Sequence, residues 1–208
     1  MKIQFIKHIT LFLIFSLVGG MTAFGAPDKA TQGVIDSVKK AIDASKDLTP
    51  GVKNLVVKSL LPQTINAVFI KATNAQNGKK VTLDEIKAID AQWMKAESQL
   101  PIQKELMENE TAKEIAKIAK GNAKIIEAFV MDNQGAVVGE NNLTSDYWQG
   151  DEEKWTNSFN GGKGGLDVGK VKFDKSANKN LQQVSVPLID KGGKVIGAIT
   201  FGLDVTGL

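Results

Sequence analysis

The sequence predicts an α+β protein in which a series of N-terminal helices precedes a five-stranded antiparallel sheet. Glycine placement is the first observation behind this prediction, since residues 26–120 contain three glycines and residues 121–208 contain fourteen. The second is a change of period. Apolar residues recur every three to four positions before residue 121 and alternate with polar residues in several later segments, which are the periods of helices and of strands.

Apolar spacing and helix-start signals divide the first half into successive helices. Val34, Val38 and Ile42 lie four positions apart and predict one buried face on the first helix. Thr82 and Glu85 have the spacing of a capping box, in which each side chain bonds the backbone N–H of the other residue. The predicted series comprises helices over 28–47, from Pro50, over 64–75, from Thr82 and, as the last, from Pro101 to Gly121.

The second half alternates β-rich runs with turn signals. Residues 181–190 alternate apolar and polar side chains, and the Lys-Gly-Gly-Lys sequence at 191–194 predicts a tight hairpin to a closing strand over 195–204. The remaining predicted strands are 124–131, 136–139 and 166–173, with a short helix over 151–159 inside the long crossover.

Residues 1–25 have the layout of a secretory signal peptide. Two lysines and a histidine precede an apolar run over 9–18, glycines end that run, and Ala23 and Gly25 supply the small residues of a cleavage site. The run is shorter than the roughly 20 residues that a membrane-spanning helix needs. We therefore expect a periplasmic or secreted protein, with an uncleaved N-terminal membrane anchor as the alternative.

Composition and charge exclude several classes of function. The 208 residues are 42% hydrophobic and 24% charged, as in ordinary globular proteins. Without the leader, 24 basic residues face 23 acidic ones, and this near neutrality argues against nucleic acid as a partner. The chain has no Cys, and its one His lies in the leader, which excludes Cys- and His-based nucleophilic catalysis and Cys-based metal sites.

Clustered acids do not change the expectation that the protein is not an enzyme and needs no metal or cofactor. The acids at 151–153 follow a glycine and suit the positive N-terminal end of a helix better than a calcium loop. The enzyme alternative is a two-carboxylate hydrolase, for which the sequence offers no paired motif. Its candidate acids would be Asp146, Asp151, Glu152 and Asp204.

Three segments of the second half carry a resemblance to a known family. They are EAFVMDNQGAVVG (127–139), TSDYWQGDEEKW (144–155) and QVSVPLIDKGGKVIGAITFGLDVTGL (183–208). These segments resemble, in order, the first hairpin, the pocket-lining segment and the final hairpin of the extracytoplasmic PAS-like sensor domains called Cache or PDC. Together with the leader and the change of period, the resemblance divides the chain into a signal peptide (1–25), an N-terminal helical segment (26–120) and a Cache/PAS-like sensor domain (121–208).

The resemblance implies a module that binds a small polar organic molecule, such as an organic acid or an amino acid. Family members usually lie between two membrane segments of a chemoreceptor, histidine kinase or cyclase, and they often pair through their N-terminal helices. Because this sequence ends directly after the last predicted strand, we expect a freestanding exported sensor, a membrane-bound signalling protein as its partner, and a homodimer through the N-terminal helices. The alternative is a structural or protein-interaction module of the cell envelope without a small ligand.

The densest group of candidate ligand-binding residues is Asp146, Tyr147, Trp148 and Trp155. Aromatic side chains cover much ligand surface while their OH and NH groups orient polar atoms. Asp146 has the charge to hold a ligand amine. The alternative role of the aromatic residues is to cover the core beneath a long loop.

The resemblance adds candidates from other segments. Phe129 and Met131 on the first strand, with Gln183 and Ser185 on a facing strand, would line the same cavity. Core packing is the alternative for these four residues. Lys163, in a glycine-rich loop, would reach a ligand carboxylate from a flexible lid, with a solvated loop lysine as the alternative.

Overall fold

The computed structural model describes residues 27–174 and 179–208, so the predicted leader lies outside the described residues. The predicted fold class is confirmed: helices precede and flank an antiparallel sheet. The helices are α1 (Lys29–Ala44), α2 (Pro50–Leu55), α3 (Ala67–Gly78), α4 (Leu83–Met94), α5 (Pro101–Glu108), α6 (Glu110–Gly121) and α7 (Glu153–Phe159).

The capping box predicted at the start of α4 is present. The backbone N–H of Thr82 donates to the Glu85 carboxylate at 2.8 Å, and the N–H of Glu85 donates to Thr82 Oγ1 at 3.3 Å. Two N–H groups that the first helical turn leaves without helical partners are thereby satisfied. Local sequence alone determines this helix start.

Pro62 interrupts the helical segment. The chain forms a π-helical turn over Val56–Leu60 and a 3-10 turn over Leu61–Ile65. The N–H of Leu61 reaches the carbonyl of Val56, one residue further back than in an α-helix. Because proline has no N–H and its ring clashes with the carbonyl four residues earlier, a regular α-helix cannot continue through this position.

The prediction of a single helix from Pro101 to Gly121 is wrong, since two helices meet at Asn109. Asn109 Oδ1 accepts the N–H of Ala112 at 3.0 Å and so begins α6. Its amide group donates to the carbonyl of Val138 in the sheet at 2.9 Å. The break therefore depends on a tertiary contact as well as on an N-cap residue.

In the part of the chain that the structure describes, the sheet has six strands instead of the predicted five. They are β1 (Ile125–Met131), β2 (Val137–Glu140), β3 (Asp167–Val168), β4 (Lys172–Asp174), β5 (Lys179–Ile189) and β6 (Val195–Asp204). Their order is β2-β1-β6-β5-β3, with β4 also on β5, and every pair is antiparallel. The predicted strand over 166–173 is split between β3 and β4. Gly169, at its centre, marks the break, as glycine often does in strands.

One face of the sheet shares a core with the N-terminal helices. The apolar face predicted for α1 is buried in this core, with Val38 2% and Ile42 0% exposed. The helices and the sheet are thus stabilised by the same burial of apolar surface. Other members of the core are Val52, Leu60 and Phe69 from the helical segment and Val130, Val186, Leu188, Ile199, Phe201 and Leu203 from the sheet.

The opposite face of the sheet carries α7. Side chains alternate between the faces of a strand, which places Glu127, Phe129 and Met131 of β1 on this face. The same alternation and the strand register place Gln183 and Ser185 of β5 there. Helix α7 contacts β5 and β6 on this side, and the candidate site lies beside it.

At Gly197 of β6, an added side chain would meet the backbone of β1. A Cβ atom at Gly197 would lie 2.2 Å from the carbonyl oxygen of Met131. We expect Gly197→Ala to lower the free energy of unfolding by about 3 kcal/mol, the upper range for overpacking a core, as measured by urea denaturation. Gly33→Ala on α1 is the matched control, because among the described residues no atom beyond the adjoining backbone of α1 lies within 4 Å of its added methyl group. That control should stabilise the protein by about 0.5–1 kcal/mol, and equal stability of the two variants would contradict the close approach.

Candidate ligand-binding site

An open cavity of about 790 Å³ lies between the sheet and two covering segments. Its volume is in the range of small-molecule sites. The first covering segment is the start of α7, and the second is the stretch that contains β3 and β4. The lining residues are Glu127, Leu181, Gln183 and Gly202 from the sheet, Glu152, Glu153 and Lys154 from the α7 side, and Asp167, Gly169, Lys170, Lys172 and Phe173 from the other side.

The floor of the cavity is a polar row across three strands. Glu127 on β1 and Gln183 on β5 both lie opposite Gly202 of the central strand β6. Gln183 Nε2 donates to Glu127 Oε1 at 3.1 Å, across the position where a side chain would otherwise stand. A Cβ at Gly202 would lie 2.4 Å from Glu127 Cγ, so this contact requires glycine. The row leaves the second Glu127 oxygen and the Gln183 carbonyl oxygen as acceptors for a ligand donor.

Lys154 supplies a largely buried ammonium group to the cavity. Its side chain is 17% exposed, and Nζ lies 3.0 Å from Gln149 Oε1 and 2.8 Å from Glu152 Oε2. The same nitrogen lies 5.5 Å from the centroid of the Phe129 ring. A lysine ammonium has three N–H donors, so this group can also bind a ligand carboxylate. Sequence reasoning missed Lys154, because only the packing of α7 on the sheet brings it over Phe129.

The walls of the cavity carry charges of both signs. Asp167 is buried and accepts a hydrogen bond from Asn157 Nδ2 at 2.8 Å. Lys170 and Lys172 are exposed at the mouth of the cavity, beside Phe173. A ligand with both an acidic and a basic group therefore meets complementary charge inside this one cavity.

Tyr147 and Trp148 do not line this cavity. Tyr147 is 7% exposed and belongs to an apolar cluster with Ile86, Trp93 and Val137. Its ring centroid lies 5.7 Å from that of Trp93, and burial raises the pKa of the Tyr147 hydroxyl to about 12. Tyr147 thus packs against Trp93, and its role in ligand binding stays a prediction.

Asp90 on α4 holds the aromatic segment formed by Tyr147 and Trp148. The sequence analysis did not predict this role. Its Oδ1 accepts the backbone N–H of Tyr147 at 2.8 Å and that of Trp148 at 3.0 Å. The indole N–H of Trp148 donates to the carbonyl of Gln134 at 2.8 Å. Helix α4 is therefore joined to the segment after β2 by charge-assisted hydrogen bonds.

Asp90→Ala should lower the free energy of unfolding by about 3 kcal/mol, since two backbone donors in a buried region lose their acceptor. Asp90→Asn keeps an oxygen at this place and should cost roughly 1 kcal/mol. Urea denaturation followed by tryptophan fluorescence measures both variants. Wild-type stability of Asp90→Ala would show that water replaces the carboxylate without loss.

The other predicted residues lie near the cavity in different ways. Gln183 lines it, whereas Lys163 is exposed and does not line it. Asp146 bonds the side-chain amide of Gln149, whose oxygen accepts from Lys154. The glycine-rich loop predicted as a flexible lid packs against α1, since a Cβ at Gly164 would lie 2.9 Å from the side chain of Val34.

Three predicted residues pack beneath α7 beside the cavity, and a fourth, Trp155, belongs to α7 itself. Phe129 and Met131 are buried against Trp155, whose indole N–H donates to the carbonyl of Asp132 at 3.0 Å. Ser185 is fully buried and shares a 2.8 Å hydrogen bond with Thr200. These side chains fill the part of the sheet face next to the open cavity.

The part of the chain that the structure describes has no group of three or more acidic or histidine side chains that could hold a metal ion. No helix among residues 27–174 and 179–208 has the length and apolarity to span a bilayer.

Comparison with known proteins gives similarity at the level of structure. No family model matches the chain, and no curated protein matches it. The sensor domain of the V. cholerae histidine kinase DctB is 11% identical with a TM-score of 0.42, covering 84% of this chain and 55% of that domain. A second similar structure is the ligand-binding domain of the Pseudomonas aeruginosa PAO1 amino acid chemoreceptor PctC in complex with GABA. It is 11% identical with a TM-score of 0.33, and the match covers 66% of this chain and 57% of that domain.

A third similar structure is the ligand-binding domain of the Campylobacter jejuni chemoreceptor Tlp3 in complex with L-valine. It is 14% identical with a TM-score of 0.35, covering 76% of this chain and 64% of that domain. This chain thus spans 55% to 64% of the length of the three domains. The three structures are sensor or ligand-binding domains of a histidine kinase and of two chemoreceptors. At this degree of similarity, ligand and mechanism have to come from the site itself.

Proposed function

We propose that this protein is an exported sensor module that reversibly binds a small organic acid or amino acid and signals through a partner protein. The observation that carries this proposal is the open cavity of about 790 Å³ with acceptor oxygens on its floor and the Lys154 ammonium on its wall. Export is supported by the signal-peptide layout of residues 1–25. A membrane-bound signalling protein is the proposed partner, because sensing outside the cytoplasm requires a route across the membrane.

The charges in the cavity suggest how an amino acid would bind. A ligand ammonium would approach the Glu127 and Gln183 oxygens on the floor, and a ligand carboxylate would approach Lys154. Phe173 and Leu181 offer apolar contact to the remaining part of the ligand. A small organic acid would use Lys154 together with the exposed lysines at the mouth. Charge-assisted hydrogen bonds of this kind contribute about 1.5–3 kcal/mol each.

A thermal-shift screen of the exported protein tests the proposal. The panel contains amino acids, including GABA and L-valine, together with dicarboxylates, amines and neutral sugars. We expect at least one amino acid or carboxylate to raise Tm in a saturable manner, because a ligand that binds the folded state stabilises it. Titration calorimetry with Glu127→Gln then locates the ligand in the cavity. A panel without any stabilising compound would contradict the proposal.

A structural or protein-interaction module without a small ligand is the second candidate. The observation that favours it is that Phe129, Met131 and Trp155 fill part of the sheet face with the protein's own side chains. This candidate predicts a stable complex with another envelope protein and no response in the screen. The two functions are therefore separated by the same experiment together with affinity purification.

A further inference from the structure

Glu140, the last residue of β2, is a buried acid that the proposed function does not use. The residue is 0% exposed. Its Oε2 accepts the backbone N–H of Thr144 at 2.9 Å, whereas Oε1 has no hydrogen-bond partner among the described residues. An ionised carboxylate with one unbonded oxygen in a buried place carries a large desolvation cost.

The helices packed against β2 present neutral groups to it. Gln76 of α3 donates to the carbonyl of Val137, and Asn109, between α5 and α6, donates to that of Val138. Thr111 of α6 lies beside Gly139. From α4, the indole N–H of Trp93 donates to the carbonyl of Thr144. These contacts bring polarity to the strand and its following loop but no positive charge.

The charge that acts on Glu140 from the neighbouring strand is the carboxylate of Glu127. Glu140 lies opposite Phe129 in the β1–β2 register, and Glu127 comes two residues before Phe129 on the same face. The nearby acids Asp90 and Asp146 are engaged with the backbone of the aromatic segment and with the Gln149 amide. Glu140 is thus connected electrostatically to the cavity floor.

Burial raises the pKa of the Glu140 carboxyl to about 7. The hydrogen bonds from Thr144 lower it, and the negative charge of Glu127 raises it. The carboxyl therefore changes its charge close to neutral pH, whereas the ordinary pKa of a glutamate carboxyl is 4.5.

We propose that Glu140 is a proton-binding site whose ionisation is coupled to the charge at Glu127 in the cavity. A cation bound at Glu127 relieves the repulsion between the two carboxylates and so releases the proton from Glu140. By reciprocity, a proton on Glu140 weakens the hold of the cavity on a cation. The titration of Glu140 does not depend on the proposed function. The effect of that proton on ligand binding rests on the proposed function.

A titration without any ligand tests the proposal. The ¹³C resonance of the Glu140 carboxyl is followed from pH 4 to pH 9 in the wild-type protein, with Glu140→Gln to identify the signal. We expect a titration midpoint near 7 in the wild type and a lower midpoint in Glu127→Gln, where the repelling charge is absent. Should Glu140→Gln fail to fold, sequential assignment of the wild-type side chain gives the same curve.

Stability provides a second readout. The pKa of Glu140 in the folded protein lies above its ordinary value of 4.5, so the neutral form favours folding and ionisation opposes it. The urea midpoint of the wild type should therefore fall, relative to that of Glu140→Gln, as the pH rises from 4.5 to 7. In the pH titration, a Glu140 midpoint near 4.5 in the wild type would overturn the proton site. A Glu140 titration midpoint that is the same in Glu127→Gln as in the wild type would overturn the coupling. Because no ligand is present, neither result depends on whether the sensor function is correct.

Discussion

Tyr147→Ala is expected to lower the free energy of unfolding by about 3–5 kcal/mol, in the absence of any ligand. The ring is buried at 7% exposure, and it packs in the cluster that joins α4 and α5 to the β1–β2 hairpin. Removing it leaves a cavity next to Trp93 and Leu106, which the surrounding helices can only partly close. Urea denaturation followed by tryptophan fluorescence measures the loss.

Tyr147→Phe is the matched control. It keeps the ring and removes only the hydroxyl, so the free energy of unfolding should change by less than about 1.5 kcal/mol. In a calorimetric titration, Tyr147→Phe should also retain the affinity for any ligand found in the screen. A variant Tyr147→Ala that folds with wild-type stability but no longer binds the ligand would return Tyr147 to the binding site and refute the core assignment.

Lys154→Met is expected to weaken binding of a carboxylate ligand about 10–100-fold, the equivalent of losing one charge-assisted hydrogen bond. Methionine keeps an unbranched side chain over Phe129, so the packing beneath α7 is largely retained. The ammonium that now bonds Gln149 and Glu152 is removed. Titration calorimetry with the ligand found in the screen measures the change in Kd.

Lys163→Met serves as the control because Lys163 is exposed and does not line the cavity. Its affinity should equal that of the wild type. The Tm of each variant without ligand shows whether the fold is unchanged. Equal affinity of Lys154→Met and the wild type would exclude Lys154 from carboxylate binding, whereas a loss confined to Lys163→Met would restore the role predicted from the sequence.

Local signals were enough to predict most of the secondary structure. The closing strand was predicted over 195–204 and is β6 (Val195–Asp204), and the capping box at Thr82 begins α4. Such features are encoded by neighbouring residues. The break at Asn109 could not be predicted in the same way, because that side chain also bonds a carbonyl in β2, 29 residues further along the chain.

The candidate site was only partly predictable from the sequence. The family resemblance predicted that Phe129, Met131, Gln183 and Ser185 line one cavity, and the strand register places all four on one face of the sheet. Which of them faces open space depends on how α7 covers that face, and nothing near these residues in the sequence specifies it. The polar floor depends on Glu127 meeting Gly202, a register between strands 75 residues apart.

The aromatic segment shows why the sequence alone could not separate ligand binding from core packing. A high local density of aromatic residues indicates that something large is covered, but it does not distinguish a ligand from the protein's own helices. Here the cover is α4, held by a buried acid that carries no recognisable motif. Binding and packing use the same side chains and the same physical forces, so the distinction requires the tertiary structure.

The glycine at position 202, which has no side chain, has an evolutionary consequence. Since Glu127 reaches Gln183 only across bare backbone, a mutation that adds one methyl group there would push the acid aside and rearrange the base of the hollow. No wall residue would have to change. A single substitution in the middle of the sheet could in this way change the ligand specificity of a descendant protein or abolish ligand binding.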